Sequence, residues 1–277
     1  FGSADGAYER AVGRKLMLAA VRRARHPGTK FDTVPILEGK QGSGKTSALR
    51  VLGGRWHSDA ELGRLDGKDA PGILHDVWIL ELGELTSMGK ADVDHLKAFV
   101  SRTEDRYRPP YGKTVKTYPR RCIFVGTTNS NSYLQDLTGN RRFLPVQTGA
   151  IDLDALKRDR DQLWAEAGRI EAGGESLVLP ENLWSEEALR QDERLANDPW
   201  VDAVKMYLVK EESRTRYSSQ ELLEDALGVP CNRQNQRDAK RLSAVMARLG
   251  FQHKANVRVG GLSVTGYISA DDPLFGA

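Results

Sequence analysis

Apolar positions along this chain fall into two rhythms. Residues 7–24, AYERAVGRKLMLAAVRRA, place Val12, Leu16, Ala19 and Ala20 on one side of a helix, and HPGTK then breaks the pattern. From Thr33 to Phe143 short apolar runs alternate with amphipathic stretches. The runs are TVPIL (33–37), VWILE (77–81), RCIFV (121–125) and RFLPV (142–146). Near-continuous apolar runs suit strands buried on both faces of a mainly parallel sheet. TSALRVL (46–52) and ADVDHLKAFVSR (91–102) read as the intervening helices, an α/β layout. A further helix is predicted over 152–171, ended by Gly173-Gly174.

The texture then changes. Residues 175–198 are acidic and hinge-like. Beyond Pro199 come WVDAVKMYLV, a helix start at Ser218-Ser219-Gln220-Glu221, and a basic helix from Arg233 to Leu249 stopped by Gly250. FQHKANVRV and LSVTGYI, joined by Gly260-Gly261, read as a β-hairpin. Three helices and a hairpin outline a winged-helix module. The expected organisation is a helical segment at 1–30, an α/β core at 31–172, a linker at 173–198 and a winged-helix-like domain at 199–277.

Composition narrows the class. With 277 residues, 39% apolar and 29% charged, the chain is ordinary for globular proteins and has room for about two domains. Its longest apolar run, LMLAAV at 16–21, is far short of the roughly 20 residues a membrane-spanning helix needs. Nothing at the start reads as a secretory leader, and the opening Phe1 in place of Met suggests a piece of a longer protein. Cys122 and Cys231 exclude a disulfide scaffold and a four-cysteine zinc site, and both are expected in the core. The five histidines show no metal-ligand spacing, and the five tryptophans are expected in packing. A net charge of +3 says little, but its distribution says more. Residues 101–121 carry a local +5, residues 151–198 a local −7, and residues 231–260 a local +6.

Residues 39–46, GKQGSGKT, complete the pattern G-x-x-x-x-G-K-[ST] between a predicted strand and a predicted helix. Gly39, Gly42 and Gly44 let the backbone around Gln41 and Ser43 curl so that its N–H groups face phosphate oxygens at a helix N-terminus. Lys45 would reach the β- and γ-phosphates of ATP, and the Thr46 hydroxyl would hold Mg²⁺. A carboxylate is needed at the end of a neighbouring strand. Glu81, closing VWIL, is placed to bind Mg²⁺, and either Glu81 or Glu84 to polarise the attacking water. Asn129, closing RCIFVGTTN, offers an amide to orient water and read the γ-phosphate. Arg141-Arg142 offers a guanidinium for transition-state charge, supplied in trans.

The ordered set GKQGSGKT, WILELGEL, ADVDHLKAFVSRTEDRYRPPYGK, PRRCIFVGTTN and TGNRRFLPV resembles the virulence-associated protein E family over roughly residues 10–170. These are P-loop ATPases of phages and mobile elements, related to superfamily 3 helicases of the AAA+ class. The resemblance implies an AAA+ sheet order, a homo-oligomeric ring, expected to be a hexamer, and ATP-driven movement on DNA in phage-type replication. It also implies a bacterial host cytoplasm, primase or other replication partners, and no membrane. Lys45 and Thr46 fall in Walker A, Glu81 and Glu84 in Walker B, Asn129 at sensor 1, and Arg141 or Arg142 at the arginine finger. Walker B acids are usually adjacent, whereas Leu82-Gly83 separates these two.

In superfamily 3 helicases the segment between Walker B and sensor 1 faces the central channel. Lys97, Arg106, Arg108, Lys113 and Lys116 lie there, interleaved with Tyr107 and Tyr111. Cations that follow phosphates and aromatics that stack on bases make a sequence-tolerant site for single-stranded DNA. The second island, with Arg237, Lys240 and Arg241 on the last helix, is expected to meet duplex DNA, with docking of another protein as the alternative. The expected function is a ring-shaped DNA helicase or translocase. The rival is an ATP-switched initiator or helicase loader that binds DNA without unwinding it. A P-loop kinase of small molecules would leave both basic islands unexplained.

Overall fold

The computed structural model describes residues 1–60, 74–83, 90–108, 112–134, 140–195, 198–211 and 214–275. The chain divides into two compact units, Phe1–Leu195 and Ala196–Ala277. No helix among the described residues is long and apolar enough to cross a membrane.

The first unit is built on five parallel strands: β1 (Val34–Glu38), β2 (His57–Ala60), β3 (Ile79–Leu82), β6 (Ile123–Thr128) and β7 (Phe143–Gln147). They lie side by side in the order β2-β3-β6-β1-β7. Between β3 and β6 in the chain, β4 (Glu104–Tyr107) and β5 (Lys116–Pro119) pair antiparallel as a separate ribbon. Side chains alternate across the sheet, so β1, β3, β6 and β7 each feed two cores. Leu37, Ile79, Ile123, Val125, Leu144 and Val146 pack with Val12 and Leu16 of helix α1 (Ala7–Arg25) and Leu49 of helix α2 (Lys45–Gly53). Ile36, Leu80, Leu82, Phe124 and Phe143 turn to the other face, onto Val93, Leu96 and Phe99 of helix α3 (Lys90–Val100).

Helix α4 (Leu153–Ala172) starts at Asp152, whose side chain accepts from the N–H groups of Asp154 and Ala155, a cap worth about 1 kcal/mol. Residues expected to be a linker are instead folded. A 3-10 turn at Glu181–Leu183 leads into helix α5 (Trp184–Glu193), whose Gln191 donates to the Phe143 carbonyl of β7 at 2.9 Å. Polar composition disguised this segment, because its buried apolar anchors, Leu179 and Leu183, are few among polar residues. Cys122 is buried, which pushes its thiol up to about 11, whereas Cys231 is exposed and not in the core. Trp78 and Trp164 stack at 4.4 Å, but Trp56 and Trp184 are half exposed.

The second unit comprises helix α6 (Pro199–Lys210), a short helical segment at residues 219–226 and helix α7 (Gln236–Arg248). These pack with a three-stranded antiparallel sheet of β8 (Arg216–Ser218), β10 (Leu262–Ile268) and β9 (Gln252–Val259), in that order. Tyr217, Leu242, Val245, Met246, Val257 and Tyr267 are among its buried residues. The Gly260-Gly261 turn between β9 and β10 uses positive φ at both residues, which favours glycine.

Candidate functional site

Residues 39–44 connect β1 to α2 at the carboxyl end of the parallel sheet. Gly42 and Gly44 have φ of 78° and 90°, a left-handed backbone that a side chain disfavours. At Gly39 a Cβ would lie 2.4 Å from Thr148 Oγ1 and would displace that hydroxyl from its bond to the Glu38 carbonyl. Lys45 is only 9% exposed, and its Nζ donates to the carbonyls of Gly39 and Lys40 at 2.7 and 2.9 Å. Burial pulls this ammonium below its ordinary pKa, opposed by the charge of Glu81. A cleft of about 520 Å³ opens over the loop, lined by Gln41, Gly42, Ser43, Gly44, Lys45 and Thr46 on one side and by Thr127, Thr128 and Asn129 on the other.

The strand alternation explains how Glu81 reaches this loop. It lies two residues past Ile79, so it shares the α2 face of β3, and Thr127, two past Val125, shares the α2 face of β6. Glu81 Oε1 accepts from Thr46 Oγ1 at 2.7 Å and from Thr127 Oγ1 at 2.8 Å. Its Oε2 lies 3.2 Å from His57 Nε2. Burial opposes ionisation of Glu81, but the hydrogen bonds from His57, Thr46 and Thr127 outweigh it and hold the carboxyl below its ordinary pKa. One hydroxyl and one carboxylate in contact suit Mg²⁺, which takes few protein ligands and completes its shell with phosphate and water oxygens. Among the described residues no group of three or more His, Cys, Asp or Glu converges on a metal position.

The remaining expected site residues divide by environment. Asn129 is exposed on the cleft rim, and Glu84 lies outside the described residues. Arg141 is exposed, whereas Arg142 donates to Ser101 Oγ at 3.0 Å and lies 3.8 Å from Asp32. On the β4–β5 ribbon Arg106, Arg108, Lys113 and Lys116 are exposed, and Tyr107 stacks on Tyr118 at 4.7 Å. Tyr111 lies outside the described residues. Lys97, expected on the same DNA-facing surface, is 7% exposed within α3 and is no surface cation. Arg120 also leaves the first island. It is buried, joined to Asp105 by two bonds of 2.7 Å and stacked over Phe99 at 4.3 Å.

On α7, Arg237 and Lys240 are exposed, but Arg241 is committed within the unit. Its guanidinium donates to both carboxylate oxygens of Asp198, at 2.9 and 2.6 Å, and lies 4.2 Å from the Trp200 ring centre. That carboxylate also caps α6, so Arg241 joins the two helices.

His57 and Thr127 escaped the sequence reading. The dipeptide TT before Asn129 carried a weak signal for Thr127, and nothing local marked His57. Also missed was Glu38, immediately before the loop. It is 1% exposed and bound by Arg194 Nε and Nη2 at 2.8 and 2.9 Å and by the Tyr133 hydroxyl at 2.8 Å.

The first unit is thus an α/β protein with a polar cleft at the carboxyl end of a parallel sheet, where ligands of such sheets bind. The family model of the virulence-associated protein E-like domain matches residues 1–196, which takes in the whole of this unit, and the chain belongs to that family. Comparison with curated proteins gives no match. Among solved structures the chain is similar to the apo structure of the NrS-1 C terminal region (305-718), at 12% identity and a TM-score of 0.51, over 94% of this chain and 72% of that one. The A form of the apo C-terminal region of NrS-1 gives 13% identity and a TM-score of 0.51, over 95% and 72%. At such identity the likeness concerns the fold.

Proposed function

We propose that this protein is an ATP-hydrolysing DNA motor of phage-type replication, working as a ring with nucleotide between subunits. The observation that carries the reading is the contact between Thr46 and Glu81 beside Lys45. It ties the strand-end carboxylate, buried just behind the cleft, to the hydroxyl after the loop lysine, which lines it. ATP would lie along the Gly39–Thr46 loop with its phosphates on backbone N–H groups and Lys45, and Thr46 and Glu81 would hold Mg²⁺, which would supply charge neutralisation. Asn129 would read the γ-phosphate from the rim.

Its exposure favours Arg141 over Arg142 as the residue given to a neighbouring subunit's nucleotide, since Arg142 is engaged inside its own chain. The exposed cations and tyrosine stack of the β4–β5 ribbon would hold single-stranded DNA. The second unit would serve as a winged-helix-like domain.

The test is ATP turnover and strand displacement by the purified chain. Lys45→Ala should abolish turnover, and unchanged turnover would overturn the nucleotide assignment. Arg141→Ala should be inactive alone, yet its mixture with Lys45→Ala should recover part of the activity, because one mutant supplies the finger and the other the loop. A wild-type chain that hydrolyses ATP but leaves a forked duplex intact would place it among loaders and initiators.

A further inference from the structure

The second unit carries a polar surface that the motor reading leaves unused. A cleft of about 590 Å³ lies between the helical segment at 219–226, the first turn of α7 and β10. Gln220, Gln234 and Gln236 line it together with Ser219, Thr265 and the apolar Leu223, Ala239 and Val264, and no charged side chain does. Gln234 is fixed by donating to the Val229 carbonyl at 3.0 Å, and Gln220 and Gln236 are exposed.

Helical geometry sets what stands beside the cleft. At about 100° per residue, Gln236 and Arg237 border the side of α7 opposite the buried Leu242, Val245 and Met246, and Lys240, Ala244 and Ala247 fall between them. The alanines keep this face low, so that the helix backbone can come close to a partner. Its charge is one-sided. Asp238, the acid of α7, is bound in the capping box with Asn235, while Arg237 and Lys240 stand exposed. Arg233 before the helix and Arg258 on β9 are exposed as well.

Amides flanked by cations on a low helical face are complementary to one ligand class in particular. A glutamine presents a donor and an acceptor together, which matches the major-groove edge of adenine, and the groove, about 12 Å wide, admits a helix. Lysine and arginine at the margin match the phosphates on either side. Gln220 lies 3.4 Å from Glu224, which leaves Gln236, beside exposed Arg237 and Lys240, as the amide best placed to meet a base edge. We infer that the face of α7 bearing Gln236, with Gln220 beside it, reads base edges of duplex DNA while Arg237 and Lys240 hold the backbone, so that the second unit selects a sequence. Neither nucleotide nor ring assembly enters this contact.

The experiment is selection of bound duplexes from a randomised library by the full chain without nucleotide, with excess single-stranded DNA present to occupy other sites. A defined motif should be enriched. Gln236→Ala should reduce preference for that motif over random duplex by about tenfold, with little change in affinity for random duplex. Lys240→Ala should weaken both and lower the salt slope by about one. Gln236→Glu, which sets a negative charge against the phosphates, should weaken binding to every duplex.

Unchanged unfolding temperatures would show that these exposed positions leave the fold intact. Binding without an enriched motif, or a motif that survives both Gln236→Ala and Gln220→Ala, would overturn the inference. So would absence of duplex binding in a chain that hydrolyses ATP, which would leave the face to a protein partner. Loss of ATP hydrolysis with motif selection retained would overturn the motor reading alone.

Discussion

The two basic islands carry similar charge on different frames. On the β4–β5 ribbon, exposed Arg106, Arg108, Lys113 and Lys116 accompany a tyrosine stack. On α7, exposed Arg237 and Lys240 accompany glutamines and alanines. An aromatic face accepts any base, because every base has a π-face, whereas an amide distinguishes one base edge from another. The companions of the cations, more than the cations themselves, separate a surface suited to moving along a strand from one suited to staying at a sequence.

The sharpest way to separate the surfaces is to stop the chemistry that only one of them needs. Glu81→Gln should lower ATP turnover about 100-fold or more while duplex binding without nucleotide stays unchanged. A parallel loss of both would erase the distinction. Next in size, Tyr107→Ala should weaken single-strand binding about tenfold, from a stacking contribution of about 1–3 kcal/mol per base, with duplex selection intact. Fluorescence anisotropy on the two substrates measures both.

Arg241→Ala tests the opposite assertion, that a cation on the α7 island serves the fold. It should destabilise the second unit by about 1 kcal/mol, since the lost pair is partly exposed, and leave duplex affinity as it was. Thermal unfolding and anisotropy together check this. The smallest effect concerns Asp272, whose carboxyl the Arg216 hydrogen bonds hold down at about 2. A depressed carboxylate contributes stability above its unfolded pKa, near 4, and loses it as pH falls towards 2. Asp272→Asn should flatten this acid limb in unfolding experiments on the second unit.

Much of the architecture was legible because its signals are local. Runs such as VPIL and CIFV are apolar throughout since both faces of each strand are covered, and GKQGSGKT needs its glycines for the backbone path. The ribbon strands EDRY and KTYP were not legible. They are short, charged and mostly exposed, so no alternation marks them. The Glu81 cluster was half legible. Thr46 and Glu81 sit in motifs, but His57 enters only because β2 lies next to β3, a fact of topology. Lys97 and Arg241 show the converse error, in which a residue type was read without its neighbours. Arg142 could be told from Arg141 only by finding Ser101 and Asp32 nearby.

The triad of Glu38, Arg194 and Tyr133 bears on where this polypeptide can be cut. Ala172, the end of the long helix, looks like a natural place to stop. A chain ended there would keep Glu38 buried at the root of the glycine loop and remove the guanidinium that neutralises it. Stripping one partner from a buried ion pair costs about 3–5 kcal/mol, a large share of the stability of an ordinary domain. Fragments for expression or grafting should therefore run through Leu195. The last turn of that unit is the counter-charge for the first strand of its sheet.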